Sequence, residues 1–159
     1  MAYQKLQVSR AILVIPSDDT LIPFPGAIYF ESTTTGNAAN KLIDGTADFI
    51  ALGVQPGDIV YNYDSSEVAT VVEVDSATQL DITLAGGITS GDDYSLYKMD
   101  KNNGCVLYVG TSAPANLRVT TAGGDDVVFV NAVQGSYQPV NVKQVWATNT
   151  GVSNIIALW

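Results

Sequence analysis

Three observations on this 159-residue sequence predict an all-β fold. Val, Ile, Thr and Tyr are abundant while Lys, Arg and Glu are scarce, a bias that suits pleated, half-buried strands better than helices. Fourteen glycines and six prolines end most segments within about ten residues. Short apolar-rich runs recur along the whole chain with explicit turn chemistry between them, the pattern of a sandwich or barrel.

Taken in order, strands are expected near Leu6–Ile15, Ala27–Phe30, Asp58–Tyr63, Val68–Asp75, Gln79–Leu84 and Tyr94–Lys98. A second set is expected near Cys105–Val109, Leu117–Thr120, Asp126–Val130, Val140–Thr148 and Asn154–Leu158. Gly57-Asp58 after Pro56, Asp75-Ser76, Gly86-Gly87, Asn103-Gly104, Gly123-Gly124 and Gly151 supply the turns. Asn37–Ile43 and Asp48–Leu52 could each form a helical turn or two, too short to persist without tertiary packing.

Composition narrows the chemistry. Sixteen acids against seven bases leave a net charge of −9, which argues against a nucleic-acid surface. The absence of histidine removes imidazole-based hydrolase triads and most zinc and non-haem iron sites. One cysteine, Cys105, allows neither an intrachain disulfide framework nor a CxxC redox motif. No apolar run approaches the roughly 18 residues of a membrane helix, and Ala11–Ile15 is too short for a signal-peptide core. The sequence therefore reads as a protein with no cofactor, no nucleic-acid or membrane partner and no enzymatic activity. Charged residues are 14% of the chain, well below the roughly 25% of an average domain, so much of the surface falls to apolar and neutral polar groups that suit protein contacts.

Charge also divides the chain. Residues 27–100 hold twelve acids and two lysines, net −10, while the remainder holds four acids and five bases, net +1. Turn-rich stretches lie at or near both switches: Pro23-Phe24-Pro25-Gly26, Gly91-Asp92-Asp93 and Lys101-Asn102-Asn103-Gly104. A compact acidic module inserted into a neutral host gives this pattern, as does charge clustering within one domain.

Two stretches carry a family resemblance. The first is Ser9-Arg10-Ala11 to Ile15-Pro16-Ser17-Asp18-Asp19, then Leu21 to Pro25-Gly26. The second begins with Leu107-Tyr108-Val109-Gly110 and Leu117-Arg118-Val119-Thr120-Thr121-Ala122-Gly123-Gly124-Asp125. It continues with Pro139-Val140-Asn141-Val142-Lys143-Gln144-Val145-Trp146-Ala147-Thr148 and ends on Ile155-Ile156-Ala157-Leu158-Trp159. Together they resemble the gene transfer agent head-spike base proteins and related phage virion proteins, over about half the chain. In that family the first stretch runs almost directly into the second, whereas here the acidic block intervenes. Asn149 stands where usual members carry glycine, and asparagine tolerates the left-handed backbone the turn needs. The block itself, with Gly53-Val54, Pro56-Gly57-Asp58-Ile59-Val60 and Ala69-Thr70-Val71-Val72, is similar to small barrels of phage structural proteins.

The resemblance implies a discontinuous β-sandwich host, residues 1–26 and 101–159, with 27–100 inserted as an acidic β-barrel. It implies a virion protein that decorates or cements the capsid or forms a head-spike base, acting as a homo-oligomer against the major capsid protein or another virion protein. A tail, baseplate or adaptor component and a carbohydrate-binding adhesin module are the alternatives. Oligomer or capsid contacts are expected at Arg10, Trp146, Ile155, Ile156, Leu158 and Trp159.

Other candidates have plainer readings. Glu73, in a Val-Val-Glu-Val-Asp alternation, reads as a solvated strand face rather than a glycosidase carboxylate. The pairs Asp18-Asp19, Asp92-Asp93 and Asp125-Asp126 read as turn formers before cation ligands. Gly123-Gly124 lacks the helix and lysine of a phosphate loop. Cys105 reads as a buried thiol. Tyr61 and Tyr63 share one side of their strand and form either core or an exposed aromatic patch.

Overall fold

The computed structural model describes residues 8–111 and 113–159. It is all-β, with twelve strands in two antiparallel six-stranded sheets and two single-turn 3-10 segments. The chain divides into two compact units: residues up to Pro16 together with Asn102–Trp159, and Ser17–Lys101. Residues 17–26 thus group with the acidic block.

The first unit contains β1 (Ala11–Leu13) of the amino-terminal stretch and, after the acidic block, the last five strands of the chain. The acidic unit supplies β2 (Ile28–Thr33), β3 (Lys41–Ile43), β4 (Ile59–Asn62), β5 (Glu67–Ser76), β6 (Gln79–Ile82) and β7 (Asp93–Tyr97). The first unit resumes with β8 (Cys105–Val109), β9 (Ala115–Thr121), β10 (Asp126–Ala132), β11 (Tyr137–Val145) and β12 (Ile155–Leu158). The strand expected over Leu6–Ile15 is confined to Ala11–Leu13; Leu6 and Gln7 lie outside the described residues.

In the first unit the order is β1-β12-β8-β11-β9-β10. β8 alternates buried and half-buried, so Cys105, Leu107 and Val109 face inward, with Ala157 opposite Leu107 and Ile155 opposite Val109. Leu117, Val119, Val142 and Val145 complete an aliphatic core, each at most 1% exposed. β11 turns a corner: it pairs with β8 from Tyr137 to Val142 and with β9 from Val142 to Val145. Pro139, which cannot donate to a ladder, sits in that register shift. A strand bent this way passes from one layer to another, consistent with a β-sandwich.

In the acidic unit the order is β2-β7-β4-β5-β6-β3. Val60 sits opposite both Leu96 and Ala69, and Leu42 opposite Leu80, which stacks one face into a core with Phe49, Ile82, Ile88 and Tyr94. β5 is the bent strand here, pairing with β4 up to Thr70 and with β6 from Val71. Past the end of β2, the Thr35 amide donates to the Ile43 carbonyl at 2.9 Å and Gly36 bridges Ile43, joining the chain after β2 to β3. Gly87 (φ +68°) is required where it stands, because a Cβ there would collide with the Ala38 carbonyl.

The Asn37–Ile43 stretch is not helical. Asn40 adopts a left-handed φ of +57°, which breaks a helical run, and Lys41–Ile43 is instead a strand against β6. Burying Leu42 against Leu80 outweighs a weak local preference. Asp48–Leu52 does form one turn: the Leu52 amide donates to the Asp48 carbonyl, and the Asp48 side chain caps the Ala51 amide at 2.9 Å.

Candidate functional site

The acidic unit uses its buried carboxylates as acceptors within its own fold. Asp44 is fully buried; its Oδ1 accepts from the Thr46 amide at 2.8 Å and the Thr46 hydroxyl at 2.6 Å, and its Oδ2 accepts from the Tyr94 hydroxyl at 2.9 Å. Burial pushes its pKa upward, but hydrogen bonds from Ser32, Thr46 and Tyr94 outweigh that and hold the carboxyl below its ordinary range. Burial first, and Asp44 second, raise Tyr94 far above the usual phenol, so the pair is a fixed carboxylate and a fixed donor.

Asp58 forms a second such pin. Its Oδ2 accepts from Lys98 Nζ at 2.7 Å, the Tyr29 hydroxyl at 2.8 Å and the Gln55 amide at 3.1 Å. Lys98 also donates to the Gly53 carbonyl and lies 4.3 Å from the Tyr29 ring centre. A cleft of about 470 Å³ opens beside it, lined by Gln55, Pro56, Met99 and Lys101 among others. With Asp58 and Lys98 satisfied by each other and by backbone, this arrangement clamps β7 to the Gly53–Asp58 turn.

The face of β4 and β7 opposite the core carries Tyr61 and Tyr97, whereas Tyr94 turns into the core. Glu31, Ser95 and Tyr61 are aligned across β2, β7 and β4. Ser95 Oγ lies 3.1 Å from both Glu31 Oε1 and the Tyr63 hydroxyl, which is 2.9 Å from the Tyr97 hydroxyl. Tyr61 and Tyr63 pack ring to ring at 4.8 Å. Tyr61 is only 5% exposed whereas Tyr63 is 45% exposed, so the exposed part of the expected aromatic patch is Tyr63. Tyr61 is buried although it points away from the core, so that face is not simply open to solvent. On it Thr70 donates to the Asp19 carbonyl and meets the Thr20 hydroxyl, holding residues 19–20 across β5. Tyr63 lines a shallow hollow of about 310 Å³ with Glu31, Thr33 and Asp93.

The contact residues expected in the first unit are placed as follows. Ile155 is 1% exposed and spent on the core, while Ile156, Leu158 and Trp159 are half-buried. The last residue is tied down: Trp159 and Arg10 exchange backbone hydrogen bonds, and the Ser9 amide donates to the Trp159 carbonyl. Arg10 is exposed. Trp146 is half-buried, donating to the Thr120 hydroxyl at 2.8 Å with the Arg118 guanidinium 4.2 Å from its ring centre. Arg118 in turn grips Asp126, holding that carboxyl below its ordinary range.

The same unit exposes what the strand pattern did not reveal. Val127, Val128, Val130, Val133 and Tyr137 are all exposed on or just after β10, with Tyr137 set edge-on to Tyr108 at 5.4 Å. The signal was present as a stretch, residues 127–142, without one charged side chain.

The remaining candidates occupy ordinary structural places. Glu73 is exposed. Asp92 accepts from Asn62 and Ser65, Asp93 from Thr33, and the Asp19 amide bonds Ser17, all within turns or strand ends. Gly124, at φ +95°, turns the β9–β10 hairpin. Asn149 adopts φ +67°. Cys105 is buried with its pKa pushed up to about 12 by desolvation. Among the described residues no three His, Cys, Asp or Glu side chains converge on a point that could hold a metal ion.

Fold and site together define a two-sheet antiparallel β protein with a self-satisfied acidic unit and a unit of low net charge that carries an exposed apolar strand. No protein-family model, curated protein or solved structure matches the chain.

Proposed function

We propose that this chain is a non-enzymatic bacteriophage virion structural protein, a capsid decoration, cement or head-spike base protein that works as a homo-oligomer on the major capsid protein or another virion protein. What supports the reading is where the family-like residues fall. Ser9–Pro16, Leu107–Gly110, Leu117–Asp125, Pro139–Thr148 and Ile155–Trp159 come from opposite ends of the sequence yet belong to one unit, while Ser17–Asp19 and Leu21–Gly26 of the first stretch fall in the acidic unit. The acidic block that separates them lies in the other unit, Ser17–Lys101. In this reading the block is an inserted, closed barrel, favoured by the link between the chain after β2 and β3, the strand at the far end of its sheet.

The near-neutral unit is the side suited to a dry contact on the particle, where charge is depleted. The acidic unit then faces solvent, where like charge keeps particles apart. Electron cryomicroscopy of particles assembled with and without the gene tests this. The expected result is head-surface density that vanishes with the gene, the Asn102–Trp159 unit against the shell. Density on the tail or baseplate would shift the assignment there, and absence from the particle would overturn it. The half-exposed Tyr63 beside Glu31 and Asp93 supports the second reading, a carbohydrate-binding adhesin module, which a glycan array with the full chain would detect.

A further inference from the structure

The sheet of the first unit ends on β10, which among the described residues has one neighbour strand, β9. The Thr121 amide donates to the Asp125 carbonyl at 2.9 Å, and the register continues with Val127 opposite Val119 and Phe129 opposite Leu117. Antiparallel pairing alternates, so Val127 and Phe129 turn their backbone groups toward β9 while Asp126 and Val128 turn theirs to the open edge. Side chains complete the picture. Val127, Val128 and Val130 are 37%, 41% and 69% exposed, and two of them are adjacent, so both faces of the strand are open apolar surface. Proteins blunt such edges with lysine, proline, bulges or very short strands. β10 has seven residues, none of them lysine or proline, and its bulge falls after Phe129, with Asn131 at φ +59°, which leaves Asp126–Phe129 regular.

We propose that β10 is a homodimer contact, to which β10 of a second copy of this chain adds antiparallel about a two-fold axis. Charge selects the second copy as occupant. The chain carries −9, so two copies repel over most of their surface and approach best where charge is absent. Residues 127–142 carry none, and Asp126 is neutralised by Arg118 at 2.6 Å. An axis through Val128 sets Val128 opposite its own copy, Val127 opposite Phe129 and Asp126 opposite Val130, so no like charges meet. A strand edge is complementary to itself in that orientation, and the outward N–H and C=O of Val128 exchange both bonds with the copy. The inference stands on this edge and does not depend on the virion reading.

Sedimentation equilibrium of the full chain tests it, with Val128→Pro and Val128→Lys. Proline removes an outward N–H while sparing the bonds to β9; lysine sets like charges across the axis. The wild type is expected at twice 16.8 kDa; the proline variant, which loses both bonds of the Val128 self-pair, is expected to dissociate about thirtyfold more readily, and the lysine variant to dissociate more readily by like-charge repulsion, both with unchanged circular dichroism. Amide exchange of the wild type gives a readout that needs no variant: the Val128 amide should slow as concentration rises. A wild type that stays monomeric overturns the proposal and leaves the edge to a strand of a different protein. A dimer that survives both variants, or whose Val128 amide exchanges at the same rate at every concentration, also overturns it by placing the contact elsewhere.

Discussion

The two units solve opposite problems. Ser17–Lys101 carries fourteen acids against three lysines, net −11, while the rest of the chain carries two acids against four bases, net +2. The acidic unit answers its charge by internal satisfaction: Asp44, Asp58 and Asp92 each accept two or more hydrogen bonds from their own unit. The neutral unit has an aliphatic core and almost no such pins, and it leaves β10 open. A unit dense in like charge gains little from company, whereas one with an uncharged edge and exposed valines gains much. The difference therefore sets a unit whose charges are satisfied internally beside one that keeps an uncharged edge exposed.

Excision is the strongest way to break this comparison. If the units fold separately, removing Ser17–Lys101 leaves a folded β protein. β1 and β8 both flank β12, antiparallel to it, so the end of β1 and the start of β8 lie at opposite ends of that strand. A linker of about eight residues is needed to run back along it. Native-like circular dichroism and slow amides in β8 and β12 are expected; a molten product would make the two units one cooperative structure.

Phe49→Ala asks the same question within the full chain. Phe49 is fully buried in the acidic core, and truncation should cost that unit about 3–5 kcal/mol. Hydrogen exchange should show faster amides in β3 to β7 and unchanged ones in β8 and β12. Equal acceleration in both would erase the distinction.

Asp44→Asn sharpens the claim of internal satisfaction. The loss should be on the order of 1.5–3 kcal/mol, the worth of hydrogen bonds to a buried charge. The carboxyl is held below its ordinary value of 3.8 in the folded state. Its contribution is therefore present above that unfolded value and lost as pH falls through the folded one. Thermal melts from neutral to acid pH should show the variant losing less stability than the wild type across that window, and parallel curves would count against the pin.

The smallest effect is expected from Arg118→Gln. The Asp126 end of the ion pair is exposed, while Arg118 and Trp146 are half-buried; a surface pair of this kind is largely screened by solvent, so the melting temperature should move little. The Asp126 carboxyl should return toward its ordinary titration, followed by nuclear magnetic resonance. An unchanged Asp126 titration would show that Arg118 is not what holds it low.

Much of the fold was legible because strand periodicity is local. Cys105–Val109 falls on the expected residues, and most other strands shift by only a few, since alternation and turn residues act within a few positions. The left-handed turn at Asn149 was expected from the family resemblance alone, and asparagine adopts it at φ +67°. Charge totals are also sequence properties, and they marked out the acidic block.

What only the tertiary structure decided is which partner each strand meets. Lys41–Ile43 became a strand because Leu80 lies opposite Leu42. Tyr61 and Tyr63, equivalent by alternation, part into buried and exposed, a difference that alternation cannot express. Asp44 and Asp58 look like any loop aspartates until Tyr94 and Lys98 arrive from about 40 or 50 residues away. β10 reads like its neighbours in sequence, and only the sheet order puts it at an edge. Periodicity specifies a face; neighbours, burial and open edges are non-local, and the chain acquires them only when it closes on itself.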